Sequence, residues 1–227
     1  MQKIFVEARA NLDLKLSKAD IAKLPKRIGL LTTVQHIHRI SELKKEIEKT
    51  GREVFLSEGK KTKYPGQVLG CDVHAAESIK GKVDAFLYVG SGKFHPLGIA
   101  LAAGKPVFCF NPYSKKFEQL DESEVEKIKK RRKGAVVKFL DAKNIGILAS
   151  IKPGQFMLKE ALELKKKLKK TGKEGYVLLF DTLDFGELEN FPFIECFINM
   201  ACPRITEDYA LIKKPIANYK EIEQYLK

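Results

Sequence analysis

Short apolar runs alternate with helix-like segments along the chain. The first run, RIGLLTT at 27–33, is followed by apolar residues at helical spacing over 40–47 and then by Gly51, a typical helix stop. An alanine-rich helix is predicted around Leu97–Ala103. Three more β-rich runs lie at 53–56, 85–89 and 106–110. This alternation is typical of an α/β fold in which helices cover both faces of a mostly parallel sheet.

The pattern begins again at residue 144. NIGILAS at 144–150 repeats RIGLLTT, and YVLLF at 176–180 takes the place of the run at 53–56. The helix predicted between them ends at Gly172 and has an apolar stripe of Met157, Ala161, Leu164 and Leu168 on one face. ECFINMACPR at 195–204 then matches DAFLYVGSGK, at an offset of roughly 110 residues. The repeat predicts two similar, doubly wound domains with mostly parallel sheets.

We place the domains at 27–133 and 134–227, joined near Lys133–Lys143. Residues 1–26, with the strand-like KIFVEA at 3–8, are interpreted as the tail of an earlier domain followed by a linker. A lone strand cannot form a domain of its own.

Composition excludes wholesale disorder, since 44% of the 227 residues are hydrophobic and 31% are charged. No apolar run approaches the ~18–20 residues of a membrane span, and the first residues lack the apolar core of a signal peptide. We therefore expect a cytoplasmic protein with no membrane partner.

The net charge of +13 would attract RNA, ribosomes or an acidic protein. Its densest runs, Lys129–Lys133 and Lys165–Lys170, continue helical patterns and favour solvated helix faces.

The four cysteines show no CxxC spacing, and disulfides are not expected in a cytosolic chain, so these residues are interpreted as buried thiols or as ligands. Cys71 follows a glycine-bearing turn ahead of an apparent helix at Ala75–Ile79, where its thiolate could bind a metal or attack a substrate. The alternative is a buried cysteine beside a turn. Cys202 follows a strand, whereas Cys109 and Cys196 lie inside apolar strands and are interpreted as core thiols.

A second unusual loop leaves the strand at 85–89 and opens a helix. Its backbone amides suit a phosphate or carboxylate, with which Lys93 could pair, although the P-loop spacing is absent. The alternative is a short glycine-rich turn without a ligand. By the repeat, Cys202 lies near the place of Gly90–Gly92, so Cys71 and Cys202 could face each other. His36 and His38 could form a metal pair, but one polar loop residue and one core residue is the favoured interpretation.

Three motifs in order, GQVLGC at 66–71, GSGKFHPLG at 90–98 and ACPR at 201–204, resemble the diphthamide synthase family in an archaeal-like form. Members make 2-(3-amino-3-carboxypropyl)histidine on elongation factor 2. The similarity extends through three further segments: IGLLTTVQH at 28–36, IKPGQ at 151–155 and KKPIANYKEIEQYL at 213–226.

The resemblance implies three similar α/β domains, each giving one cysteine to a 4Fe-4S cluster whose fourth iron binds S-adenosylmethionine. The reduced cluster of such enzymes cleaves a C–S bond, releasing methylthioadenosine and a 3-amino-3-carboxypropyl radical that adds to a histidine of elongation factor 2. Cys71 matches the second-domain ligand and Cys202 the third-domain ligand. The first domain and its cysteine have no counterpart here.

The resemblance therefore predicts the two-domain part of a radical S-adenosylmethionine transferase, inactive alone and completed by a separate cysteine-bearing domain or subunit. A homodimer is possible. The candidate S-adenosylmethionine ligands end corresponding strands: Gly90, Ser91, Gly92, Lys93, His95, Lys152, Gln155 and Arg204. Arg204 could hold the methionine carboxylate bidentately. Two alternatives remain open: a non-catalytic partner or recruiting subunit of such an enzyme, and a basic RNA- or ribosome-associated binding protein.

Overall fold

The fold consists of two compact units, Met1–Val125 and Glu126–Lys227. The computed structural model describes residues 6–152, 154–207 and 213–226. Within these residues the strands are β1 (Arg27–Thr32), β2 (Glu53–Phe55), β3 (Ala85–Val89), β4 (Val107–Phe110), β5 (Phe117–Gln119), β6 (Asn144–Ser150), β7 (Glu174–Phe180), β8 (Cys196–Asn199) and β9 (Ile216–Asn218). The α-helices are α1 (Lys18–Ala22), α2 (Ile40–Glu48), α3 (His74–Ile79), α4 (Phe94–Ala103), α5 (Glu122–Asp141), α6 (Leu158–Lys170) and α7 (Tyr219–Ile222).

The first unit is built on a five-stranded sheet of order β2-β1-β3-β4-β5. The first four strands are parallel, and β5 is antiparallel to β4. Because Ile28 lies beside Ala85 and Thr32 beside Val89, the central strands β1 and β3 end at the same edge of the sheet. Parallel sheets bind ligands at this carboxyl edge.

Helices cover both faces of the first sheet, as the continuous apolar runs predicted. Leu30 belongs to a core that α1 and α2 complete, whereas Phe86 belongs to a core that α3 and α4 complete. Central strands buried on both faces have no solvent-facing positions, which is why β1 and β3 contain almost only apolar residues. The predicted α/β class with mostly parallel sheets is confirmed.

The second unit has a fully parallel sheet of order β7-β6-β8-β9, the same order as the first four strands of the first sheet. Ile145 lies beside Cys196, just as Ile28 lies beside Ala85. One face carries α6, which buries the predicted stripe of Ala161, Leu164 and Leu168.

The other face of this sheet departs from the doubly wound expectation. A single turn of 3-10 helix at Gly186–Asn190, rather than an α-helix, packs there through Leu188. Gly186 and Pro192 interrupt the segment 181–195, which therefore cannot form a continuous helix.

The N-terminal segment also differs from the expectation. Residues 6–17 form neither helix nor strand, so the strand predicted at 3–8 is wrong for 6–8, and residues 3–5 lie outside the described part of the chain. None of the described strands pairs with residues 6–17, and Leu14 and Leu16 are instead buried in the first unit's core.

The helix α5 runs through the segment near Lys133–Lys143 where the sequence analysis places the domain junction. Among the described residues, no helix combines the length and apolar character needed to cross a membrane.

Candidate functional site

The Cys71 loop is attached to the end of β1 through the backbone of Thr32. The Thr32 N–H donates to the carbonyl of Gly66 at 2.8 Å, and the Val68 N–H donates to the carbonyl of Thr32 at 2.8 Å. Gly66 has φ +80°, and a side chain there would also approach the Leu30 carbonyl. Glycine is therefore required at this turn.

Two reciprocal hydrogen bonds place Cys71 at the tip of this loop. The Leu69 N–H donates to the Asp72 carbonyl at 2.9 Å, and the Asp72 N–H donates back to Leu69 at 3.1 Å. The Asp72 carboxylate is buried and accepts the N–H of His74 at 3.0 Å, which joins the loop to the first residue of α3. The Cys71 thiol is exposed, which contradicts the buried alternative and leaves it accessible to a metal or a substrate.

The second predicted loop lies against the first. Thr32 Oγ1 donates to the carbonyl of Val89 at 2.7 Å, immediately before Gly90. A Cβ atom built on Gly70 would lie 2.4 Å from the ring of Phe94, so that ring packs directly on the backbone beside Cys71. The GQVLGC and GSGKFHPLG motifs thus form one continuous surface at the carboxyl edge of the first sheet.

Within the second loop, Ser91, Gly92 and Lys93 are exposed. Gly92 has φ +71°, a backbone conformation that favours glycine. Lys93 donates to Glu124 at 2.6 Å, and this hydrogen bond raises the pKa of the Lys93 ammonium. Lys93 is therefore engaged with a carboxylate of its own chain at the place where the sequence predicted an anionic ligand. The helix begins at Phe94, so the sixth residue of the motif, His95, lies in the first turn of α4 rather than in the loop.

In the second unit a single asparagine organises the Cys202 loop. Asn199, the last residue of β8, is buried, and its Nδ2 donates to the carbonyl of Cys202 at 2.8 Å. Its Oδ1 accepts the N–H of Ala201 at 3.0 Å, and Nδ2 also donates to Asn218 Oδ1 at 2.8 Å. Cys202 is partly exposed on this loop.

The other second-unit candidates lie near the same edge. Lys152 and Gln155 are exposed after the end of β6, and the Gln155 N–H donates to the Lys152 carbonyl at 3.0 Å. Arg204 lies in the 3-10 turn Pro203–Glu207 and is 7% exposed. Because β6 and β8 are parallel and adjacent, the loops carrying these residues leave one edge of the sheet.

The remaining cysteines and histidines behave as core and surface residues. Cys196 is fully buried in β8 and Cys109 partly buried in β4, and burial raises the pKa of each thiol to about 12. Both are thus strand thiols, as predicted. His36 is buried, as expected of one of the pair, whereas His38 is exposed and lies in the 3-10 turn Ile37–Arg39 rather than in a loop. No group of three or more metal-ligating side chains lies together within the described residues.

Cysteine thiolates are the ligands of iron-sulfur clusters, so the chemistry of Cys71 and Cys202 fits such a cluster. Both thiols reach solvent, and a rigid hydrogen-bonded loop holds each of them. The number of ligands fits only in part, because each unit presents one such thiol, which gives two where the family resemblance implies three.

Three polar residues with structural roles near the carboxyl ends of strands were not singled out from the sequence: Thr32 and Tyr88 in the first unit and Asn199 in the second. Each is a hydrogen-bonding residue at or near the end of an otherwise apolar strand. That position was the signal that could have found them.

These features define a class: an α/β protein of repeated units, each with an accessible cysteine on a loop at the ligand-binding edge of its sheet. The family described as "Putative diphthamide synthesis protein" matches residues 1–227. The chain belongs to this family.

Its relatives include proteins named 2-(3-amino-3-carboxypropyl)histidine synthase. One from Pyrococcus horikoshii is 39% identical over 226 residues, covering 97% of this chain and 64% of that protein. One from Methanocaldococcus jannaschii is 37% identical over 166 residues, covering 72% of this chain and 47% of that protein. The relative from Schizosaccharomyces pombe, named subunit 1 of the synthase, is 30% identical and is covered over 43% of its length.

The crystal structure of Dph2 from Pyrococcus horikoshii with 4Fe-4S cluster has the same fold, with a TM-score of 0.77 and 39% sequence identity. The match covers 92% of this chain and 59% of that chain. The chain thus spans between 43% and 64% of the length of these relatives.

Proposed function

We propose that this chain is part of a cytoplasmic 2-(3-amino-3-carboxypropyl)histidine synthase, which performs the first step of diphthamide biosynthesis. The substrates are S-adenosylmethionine and a histidine of elongation factor 2. The observation that carries the proposal is the placement of Cys71 and Cys202, each accessible on a fixed loop at the carboxyl edge of its own sheet. The similarity to a protein crystallised with a 4Fe-4S cluster supports it.

In this proposal Cys71 and Cys202 are two ligands of a 4Fe-4S cluster. The cluster supplies the electron with which S-adenosylmethionine is cleaved at a C–S bond. The protein positions the substrate: Ser91 and Gly92 are exposed beside the Cys71 loop, whereas Gly90 is buried against Tyr88. Lys152, Gln155 and Arg204 are the corresponding candidates in the second unit.

Two thiolates leave such a cluster one protein ligand short. Three protein ligands hold a 4Fe-4S cluster and leave one iron open for substrate, whereas two leave it weakly held. The third thiolate therefore comes from polypeptide outside these 227 residues, either a preceding part of the same gene product or a separate subunit. The name of the Schizosaccharomyces pombe relative, subunit 1 of the synthase, supports an enzyme of more than one subunit.

Anaerobic reconstitution with iron and sulfide tests this proposal, with and without the cysteine-bearing remainder of the Pyrococcus relative. We expect little methylthioadenosine from the chain alone and its release from the completed enzyme. Cys71→Ser or Cys202→Ser should abolish this release and lower bound iron, whereas Cys109→Ser and Cys196→Ser are the matched controls that retain both.

Two outcomes contradict the proposal. Normal turnover by the isolated chain would disprove the need for a third thiolate, and normal iron content in the Cys202→Ser enzyme would remove Cys202 from the ligand set. Iron uptake and assembly without methylthioadenosine release would instead support a non-catalytic partner of an active synthase.

The lysines of α6 favour a second candidate, a nucleic-acid-binding protein. Lys165, Lys166 and Lys169 line a surface cavity of about 350 Å³, and Leu162 and Glu174 complete its lining. Binding of a generic single-stranded RNA that weakens steeply with salt, by a chain that takes up no iron, would support it over the synthase.

A further inference from the structure

The histidine of the GSGKFHPLG motif, His95, has a fixed partner. Tyr88 Oη lies 3.1 Å from His95 Nδ1, and the two rings stack with centroids 5.6 Å apart and an interplanar angle of 19°. Phe94 packs edge-on against the same imidazole, with centroids 5.1 Å apart. His95 is therefore held between two aromatic rings beside the Cys71 loop.

The direction of this hydrogen bond follows from the surroundings of Tyr88. The residue is 1% exposed, and burial raises the pKa of its phenol, which keeps its proton. The hydrogen bond to His95 Nδ1 is the one that the described residues give its hydroxyl. If Nδ1 carried a proton, the phenolic proton would have no acceptor there, and a buried donor without an acceptor is costly.

We infer that Tyr88 is a positioning residue, whose hydroxyl donates to His95 Nδ1 and fixes the neutral imidazole with its proton on Nε2. In this tautomer the single N–H of the imidazole is at Nε2, so His95 can act toward a substrate oxygen only as a hydrogen-bond donor. The inference deepens the proposed function and rests on it for the identity of that substrate, S-adenosylmethionine. Its geometric basis lies wholly within the first unit.

Gly90 makes this contact possible. A Cβ atom at Gly90 would lie 2.6 Å from Tyr88 Oη and 2.8 Å from Tyr88 Cζ. Any larger residue would push the phenol away from His95. The first glycine of the motif is thus explained by the space that the tyrosine hydroxyl needs.

Imidazole nitrogen chemical shifts test the inference directly on this chain, without a cluster. The protein has four histidines, and His95→Gln identifies the signals of His95. We expect wild-type His95 to show an unprotonated Nδ1 and a protonated Nε2 at pH 8. Tyr88→Phe should move both signals toward a mixture of tautomers, and Tyr176→Phe, which removes a hydroxyl bonded to Asn144, should leave them unchanged.

A protonated Nδ1 in the wild type would overturn the inference, as would unchanged His95 signals in Tyr88→Phe. If Tyr88→Phe fails to fold, Gly90→Ala displaces the same hydroxyl and should produce the same shift. In the completed enzyme, Tyr88→Phe should raise KM for S-adenosylmethionine about three- to tenfold, as expected for one weakened hydrogen bond. A fixed tautomer in an enzyme that transfers nothing would refute the proposed function and leave the positioning role intact.

Discussion

Single polar side chains at the ends of apolar strands hold the loops that carry the candidate chemistry. Thr32 does so in the first unit through its backbone and its hydroxyl, and Asn199 does so in the second through its amide. Because each group is buried, its hydrogen bonds compete with no water. The positions of the Cys71 and Cys202 loops therefore depend on two residues that have no thiol chemistry of their own.

Asn199→Ala should destabilise the second unit by about 1–3 kcal/mol, because it leaves buried partners of the amide unsatisfied. Urea denaturation measures this loss. Cys202 should also react faster with a thiol reagent, since its carbonyl loses the bond that holds the loop. Asn190→Ala, which removes an exposed bond to Glu187, is the control. Unchanged stability and unchanged Cys202 labelling would show that Asn199 does not hold this loop.

At the scale of elements, a backbone-to-ring contact joins the Cys71 loop to α4. Gly70 has no side chain, and the ring of Phe94 occupies the space beside it. Phe94 is 47% exposed, so the ring has solvent on its other side and can give way at some cost. The contact couples the two family motifs through packing alone.

Gly70→Ala should cost about 1 kcal/mol, because its Cβ would lie 2.4 Å from Phe94 Cε1 and force the ring to move. Combining it with Phe94→Ala should remove this cost, so the two changes are non-additive in thermal unfolding. Gly81→Ala serves as the control, since no atom lies within 4 Å of the place that its Cβ would take. Strictly additive effects of Gly70→Ala and Phe94→Ala would contradict the contact.

The N-terminal segment is held by a carboxylate as well as by its buried leucines. Glu7 accepts hydrogen bonds from Arg9 at 2.7 Å and from Tyr64 Oη at 2.8 Å, and these lower the pKa of its carboxyl from 4.5 to about 2. Because the folded pKa is depressed, the stabilisation is present above about pH 4.5 and is lost as the pH falls toward 2.

Glu7→Gln should flatten this part of the pH profile of stability, measured by urea denaturation between pH 2 and 6. Glu58→Gln, at an exposed position, should leave the profile as it is in the wild type. An identical acid limb in Glu7→Gln would show that the segment is not held by this carboxylate.

For the whole molecule, the repeat of apolar runs was sufficient to predict the parallel strands β1 to β4 and β6 to β8, together with the helix α6. It did not predict β9, whose three residues are too few to show a pattern. Three other features also escaped it for physical reasons. The strand β5 has only Phe117 as an apolar residue, so alternation gives little signal. The cover of the second sheet is a 3-10 turn anchored by one leucine, and the N-terminal segment is fixed by side chains rather than by a sheet.

The candidate site was predictable at the level of motifs and not of contacts. The cysteine positions follow from where strands end, because loops at parallel strand ends share one edge. The Lys93 ion pair with Glu124 joins residues far apart in sequence, and no local pattern reports it. The same is true of the contact between Gly70 and Phe94.

Each unit contains a strand cysteine whose labelling rate can report the unfolding of that unit. Cys196 is buried in β8 of the second unit, and Cys109 is partly buried in β4 of the first. Burial raises the pKa of each thiol to about 12, so each should react slowly until its strand opens and the thiolate can form. Pulse labelling followed by peptide mass analysis would time the two openings separately within one sample. Cys71 is exposed in the folded protein, so its labelling would give the reaction rate of an unprotected thiol in the same sample.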